Sequence, residues 1–459
     1  MSRINQGPRG VHAQEITHEG APVRIPNPEQ RLRRSVMACL LWEKTFYEEG
    51  ESIAQRIKDG VAACSPEFVS ALAIQARSEY RMRHVPLLLA RELARNTHGK
   101  IVGHTIQNVI QRADELTEFL AIYGEGQERA NTIKPIAKQV KVGLAAAFQK
   151  FDAYQLAKYN RKNPVTLRDA LFLCHAKPKD EKQQKDWTDL VNGTLTTPDT
   201  WETSLSAGGD KKTEFTRLLS ENKLGYMALL RNLRNMEESG VDRDLVRRAI
   251  GFGAARSKAL PFRFISAAKH APAFEPELDA AMQLAMNSLP RLHGRSAVLI
   301  DCSGSMSSPV SGKSEIRCRE AATALAILVG GTCEKFDVFV FGTDVAQVPA
   351  RANLGLMTTV EAVNSYGYGR SGVEVGHGTN IGGAVRKAEH TDNYDRIIVI
   401  TDGQSHDTLA NPHGTGYILN VAAYQNGVGY GPWVNIDGFS EASVRFITEL
   451  EGEGDAIHA

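Results

Sequence analysis

At 459 residues the chain is too long for one core of ordinary size, so two or three domains are expected. With 42% hydrophobic and 23% charged residues and a mean hydropathy of −0.29, its composition excludes the disordered, collagenous and membrane-spanning classes. The net charge of +1 conceals a division: 43 basic against 34 acidic residues precede position 295, and 11 against 19 follow from there. A basic module joined to an acidic one suits a polyanion partner for the first, although solvated helix faces alone produce the same imbalance.

Residues 1 to about 28 are rich in Gly, Pro and polar side chains and read as a mobile arm, since Pro22, Pro26 and Pro28 would interrupt a helix. Residues 29–293 carry apolar positions at three- and four-residue spacing, as in Val36 to Phe46, Phe68 to Ala76, Val85 to Leu93 and Ala280 to Leu289. Breaks at Gly60, Ser65-Pro66, His98-Gly99, Gly124 to Gly126, Pro164 and Gly240 divide this stretch into a stack of antiparallel helix pairs. After Pro290 the pattern changes. Short apolar runs at Ala297 to Ile300, Phe336 to Phe341, Arg396 to Ile400 and Tyr417 to Ala423 alternate with helical windows at about 314–330, 381–390 and 439–450. Such alternation predicts a parallel sheet over residues 294–459, covered on both faces.

The cysteines, Cys39, Cys64, Cys174, Cys302, Cys318 and Cys333, form no CxxC pair and no zinc spacing, and no secretory signal opens the sequence. Both observations point to a reducing cytoplasm. The longest stretch without a charged residue, Thr408 to Ile436, is broken by Pro412 and Pro432, so no membrane span is expected.

Asp301-Cys302-Ser303-Gly304-Ser305 follows the apolar run Ala297 to Ile300 and sets a carboxylate and two hydroxyls at i, i+2 and i+4 of a strand-to-helix loop. Gly378-Thr379-Asn380 offers another hydroxyl before a helix, and Asp402 ends a further strand. Asp301, Ser303, Ser305, Thr379 and Asp402 are thus five oxygen donors for a hard divalent cation, best Mg²⁺. The stretch Ser307 to Ser314 ends like a phosphate-binding loop but has Ser307 where glycine is required, and the loop after the strand is already engaged. Nucleotide hydrolysis is not expected.

This constellation resembles the metal-ion-dependent adhesion site of von Willebrand A-type domains. In the helical region, the window Lys158 to Pro178, the segment Ala228-Leu229-Leu230-Arg231-Asn232-Leu233 and the segment Lys258-Ala259-Leu260-Pro261-Phe262-Arg263-Phe264 resemble the TROVE module of the Ro autoantigen family. Ile436-Asp437-Gly438-Phe439, followed by a helical window, extends the resemblance to about residues 30–459. It implies a multidomain fold: an all-α, HEAT-like helical-repeat ring over 29–293, closed by a doubly wound α/β von Willebrand A-type domain. It also implies a non-catalytic RNA-binding protein. Single-stranded 3′ ends of misfolded or unprocessed non-coding RNA would enter the basic ring, and Y-like RNA would lie on its outer surface. An exoribonuclease or RNA-repair protein could be recruited, and the ring would be monomeric.

Carried over by motif, Lys158 and Lys162 match the family's RNA-contacting Lys-x3-basic pair, and His175 in His-Ala-Lys-Pro matches its RNA-binding histidine, with Lys177 beside it. Lys162 replaces an arginine of the animal proteins, which keeps charge but loses bidentate phosphate geometry. Arg31-Arg33-Arg34, Arg81-Arg83-His84 and Arg243-Arg247-Arg248 are further candidates for tracking phosphates. Arg231 and Asn232 read first as packing or interhelical hydrogen bonds. Two other readings fit the same motifs: a scaffold whose metal site recruits an acidic protein, and a metal-dependent nuclease.

Overall fold

Helix ends in the first part of the chain fall where side chains can satisfy the open backbone amides. In the computed structural model the described residues are 27–37, 50–124, 136–161, 164–206, 208–255, 257, 259, 261–286, 291–310, 316–348, 356–367, 373–422, 432–438, 443–444, 446–448 and 450–451. Most of the arm, residues 1–26, and Lys162 lie outside them. The described residues form two compact units, 28–37 with 51–249, and 250 onward with residues 27 and 50.

The first unit is helical: α1 Pro28–Met37, α2 Gly50–Ala63, α3 Pro66–Ser78, α4 His84–Asn96, α5 Lys100–Val109, α6 Ala113–Gly124, α7 Lys138–Phe148, α8 Ala153–Tyr159, α9 Leu167–Cys174, α10 Glu181–Asn192, α11 Trp201–Ser206, α12 Lys211–Ser220, α13 Tyr226–Glu238 and α14 Arg243–Ala254, the last ending in the second unit. Ser65 caps α3 by accepting from the Phe68 amide at 3.3 Å, with Pro66 opening the helix. Asp152 with Gln155, and Thr166 with Asp169, form reciprocal capping boxes on α8 and α9. Helices α3, α5, α7 and α9 pack in succession, while α4, α6 and α8 form a second layer, the arrangement of a HEAT-like repeat. Gly103 and Gly143 make the α5–α7 crossing close: a Cβ at 143 would meet the Gly103 carbonyl oxygen at 2.7 Å.

One expected break is absent. Gly60 lies inside α2, where a Cβ would meet Leu32 Cδ1 of α1 at 3.0 Å, so this glycine permits helix contact and does not end the helix. Charge pairs are buried between the layers. Arg77 binds Glu115 at 2.7 Å, and the other Glu115 oxygen accepts from the amides of Gln111 and Arg112, so the fully buried carboxylate is satisfied.

The second unit contains a six-stranded sheet: β1 Leu292–Asp301, β2 Cys333–Phe341, β3 Val345–Val348, β4 Arg396–Thr401, β5 Thr415–Asn420 and β6 Trp433–Asp437, in the order β3-β2-β1-β4-β5-β6. All pairings are parallel except β2–β3. α19 Ile381–Thr391 packs Ile381, Ala384, Val385 and Ala388 on the face carrying Ala297, Leu299, Phe339 and Val399. α17 Cys318–Thr332, buried along most of its length, packs on β1, β2 and β4. The sheet is therefore doubly wound, as its apolar strands predict. β3, β6 and α18 Leu356–Gly367 add to the expected elements. Of the window 439–450, the described residues 443–444, 446–448 and 450 are helical.

α15 Pro261–His270 and α16 Glu275–Met286 pack on α17, and Lys269 Nζ donates to Glu320 Oε1 at 2.5 Å. The second unit thus starts ahead of residue 294, where the sequence changes character, because these helices cover an apolar face of α17.

Candidate metal centre and nucleic-acid interface

Parallel pairing of β1 with β4 sets Ile300 level with Ile400 and brings the next residues, Asp301 and Thr401, together at the carboxyl end of both strands. In the order β2-β1-β4, β1 and β4 flank the topological switch, the usual ligand position in such sheets. Asp301 Oδ2 accepts from Thr401 Oγ1 at 2.5 Å, and its Oδ1 accepts from the Ser303 amide at 2.8 Å. Ser303 Oγ and Ser305 Oγ lie 3.3 Å apart, and Ser305 Oγ donates to Asp402 Oδ2 at 2.5 Å. Asp301, Ser303, Ser305 and Asp402 thus converge in one polar cluster.

Thr379 reaches the neighbourhood through its backbone. Its carbonyl accepts from the His406 amide at 3.2 Å and from Ser405 Oγ at 3.3 Å, and no hydrogen bond joins its hydroxyl to Asp301 or Asp402 among the described residues. The loop carrying Thr379 is tied to the Asp301 loop by Gly304 N donating to His377 O at 3.0 Å. Burial pushes the Asp301 carboxyl above its ordinary range, against the hydrogen bonds from Thr401 and Ser303 and the Arg319 charge. Arg319, itself buried, donates to the carbonyls of Cys302 at 2.6 Å and Ser303 at 3.2 Å and so fixes the loop from behind. Two carboxylates among hydroxyls suit a hard cation; among the described residues no cluster of three or more His, Cys, Asp or Glu is placed to hold a metal.

Sequence reasoning missed Thr401, Arg319 and Asp407. Thr401 becomes legible only once β1 and β4 are paired. Asp407 accepts from the amides of Gly382 at 3.0 Å and Gly383 at 2.8 Å, closing the amino end of α19 with a carboxylate from another loop. Cys302 and Cys318 flank the site, but burial pushes both thiols up to about 12, so neither is a poised nucleophile.

The RNA candidates of the first unit lie at the surface. Lys158 is exposed near the end of α8, 5.8 Å from the ring centroid of Tyr159, whose other neighbour is Arg112 at 4.7 Å. Arg112 pairs in turn with Asp114 at 2.8 Å, which anchors the end of α8 to α6. His175 caps α9 in the left-handed conformation, φ 53°, and its exposed Nε2 lies 3.5 Å from Lys141 Nζ of α7. Lys177 is exposed, and its carbonyl accepts from Gln149 Nε2 at 2.8 Å. The structure thus brings His175 together with Lys141, which the sequence did not indicate. Among the described residues no hydrogen bond or ion pair joins Lys158 to His175.

The other basic clusters are largely engaged internally. Arg83 pairs with Asp114 and Glu118, Arg34 is buried, Arg33 donates to Gln75 at 3.1 Å, and Arg243 and Arg247 pair with Glu237 and Asp244. Asn232 is buried, donating to Ala228 O at 2.8 Å and accepting from Asn235 at 3.0 Å, the packing role expected of it. No described helix is long and apolar enough to cross a membrane.

The TROVE domain family model matches residues 34–194 and 193–296, and the Ro60 vWA domain model matches residues 295–415. The crystal structure of the Deinococcus radiodurans Ro (RSR) protein superposes with a TM-score of 0.60, covering 92% of this chain and 99% of that one at 17% identity. Telomerase protein component 1 of Rattus norvegicus is 33% identical over 51% of the chain, and that of Mus musculus 36% identical over 16%. The chain spans only 12% and 3% of those two relatives. With a TROVE domain followed by a Ro60-type vWA domain, each on the fold its family requires, the chain belongs to the Ro family.

Proposed function

We propose that the chain is a non-catalytic, RNA-binding Ro-type protein that takes single-stranded 3′ ends of misfolded or unprocessed non-coding RNA on its helical unit and Y-like RNA on its outer basic surface. The observation that carries this reading is the set of exposed Lys158, His175 and Lys177, with half-buried Lys141 beside His175, on a TROVE scaffold. Such side chains contribute affinity by contacting phosphate and releasing counterions. Lys162 belongs to this set by its motif. Protein partners that degrade or repair the captured RNA would act on it in trans.

In the same proposal Asp301, Ser303, Ser305, Thr379 and Asp402 hold a Mg²⁺ ion. The cation would replace the contact between Ser305 and Asp402 and keep the buried Asp301 ionised. Its role is to order the loops and present a coordination position to a partner. The buried thiols flanking the site, and the use of Asp407 as a helix cap, support the non-catalytic reading.

The test is binding of a structured RNA with a single-stranded 3′ tail against the same RNA without it, at two salt concentrations and with Mg²⁺. Preference for the tailed RNA that weakens with salt, with the RNA left full length, is the expected result. Absence of binding to both would overturn the proposal in favour of a protein-interaction scaffold, and cleavage would overturn its non-catalytic part.

A further inference from the structure

Resting on the RNA-binding reading, we infer that Phe172 and Tyr154 are stacking platforms for unpaired nucleobases, interleaved with cations that hold the adjoining phosphates. α9 buries Leu167, Ala170, Leu171 and Cys174, the complete inward stripe of a short amphipathic helix. Its opposite face carries Arg168, Phe172 and His175 at i, i+4 and i+7. Phe172 is 56% exposed, and the Arg168 guanidinium lies 5.9 Å from its ring centroid. One helix earlier Tyr154 is 51% exposed on α8, and one turn later exposed Lys158 lies 5.8 Å from the ring centroid of Tyr159.

A lone exposed aromatic residue needs no explanation, but two exposed rings, each on a helix that also carries an aromatic–cation contact, have a shared chemistry. Bases offer π-faces of any sequence and phosphates offer negative charge, so alternating rings and cations match a single strand. A protein partner is the poorer match, because Phe172 is the only exposed apolar side chain of α9, Arg168 lies over its ring and exposed His175 follows the helix end. The one acid on the helix, Asp169, is engaged with Thr166, whose amide and hydroxyl donate to it at 2.9 and 2.7 Å. His175 adds an independent sign. It occupies the left-handed position after the helix, where glycine is the unstrained choice, and so ends α9 in an exposed imidazole beside Lys141 at a conformational cost.

The experiment uses the full chain and the tailed RNA, with a second RNA whose tail is abasic. Phe172→Ala should weaken binding of the base-bearing tail about tenfold, Tyr154→Ala should weaken it to a similar degree, and both should leave the salt dependence unchanged. Phe172→Trp should retain affinity, and the abasic tail should bind wild type and Phe172→Ala equally. Wild-type affinity in Phe172→Ala would overturn the inference while leaving RNA binding standing, and would assign the exposed ring to a protein partner. A loss that persists on the abasic tail would likewise overturn it. Failure of the wild type to bind any tailed RNA would remove the parent reading with it.

Discussion

The two candidate sites of the molecule are built on opposite principles. Around Asp301 the polar atoms are buried and bonded to one another: Asp301 to Thr401, Ser305 to Asp402, Arg319 to the loop carbonyls. Around His175 the side chains are exposed and make few internal bonds, resting on helices whose order comes from caps and buried pairs elsewhere. A buried constellation needs a fixed geometry, as a small cation does. An exposed one tolerates adjustment, which suits a flexible polyanion. Substitutions in the first should therefore act on stability and ion binding, and those in the second on affinity alone.

The largest expected effect lies in the scaffold beneath the exposed face. Glu115→Ala removes the fully buried carboxylate that pairs with the part-buried Arg77 and accepts from the Gln111 and Arg112 amides, and should cost about 3 kcal/mol in denaturant unfolding. Wild-type affinity for RNA in a folded Glu115→Ala protein would show that the face does not depend on that support. At the buried site, Mg²⁺ at a hundred times its dissociation constant should stabilise the protein by about 2.7 kcal/mol. Asp301→Asn and Asp402→Asn should lose this increment, read as the shift of melting temperature with added Mg²⁺. On the exposed face, His175→Ser and Lys158→Ala should each weaken RNA binding about fivefold with no change in melting temperature.

The smallest effect concerns acid stability. Arg217 holds the Asp199 carboxyl at about 2, below its ordinary 3.8. A depressed carboxylate pKa contributes stability that is fully present above the unfolded value and lost as the pH falls through the folded one. Wild type should therefore lose more of its urea midpoint between pH 5 and pH 2.5 than Asp199→Asn does, and parallel losses would contradict this.

How much was legible in the sequence differs between the sites for the same reason. The Asp301 loop and the sheet follow from local patterns: apolar runs and a strand-terminal carboxylate. Thr401 and Asp407 depend on strand pairing and on contacts between distant loops, which no local spacing records. β3 escaped notice because it is a four-residue edge strand with only Val345 buried, and Gly60 misled because a glycine that admits Leu32 has the same letter as one that ends a helix. Lys141 came to light only through the packing of α7 on α9.

The central claim is that Lys141, Lys158 and Lys177, on and beside α7 to α9, hold the phosphates of single-stranded RNA, and its most direct test is the slope of log affinity against log salt. Replacing Lys141, Lys158 and Lys177 together with alanine should make that slope shallower by about 2, since each phosphate contact on a single strand contributes about 0.7. An unchanged slope would mean that these lysines do not contact the RNA, and the proposed interface would be in the wrong place.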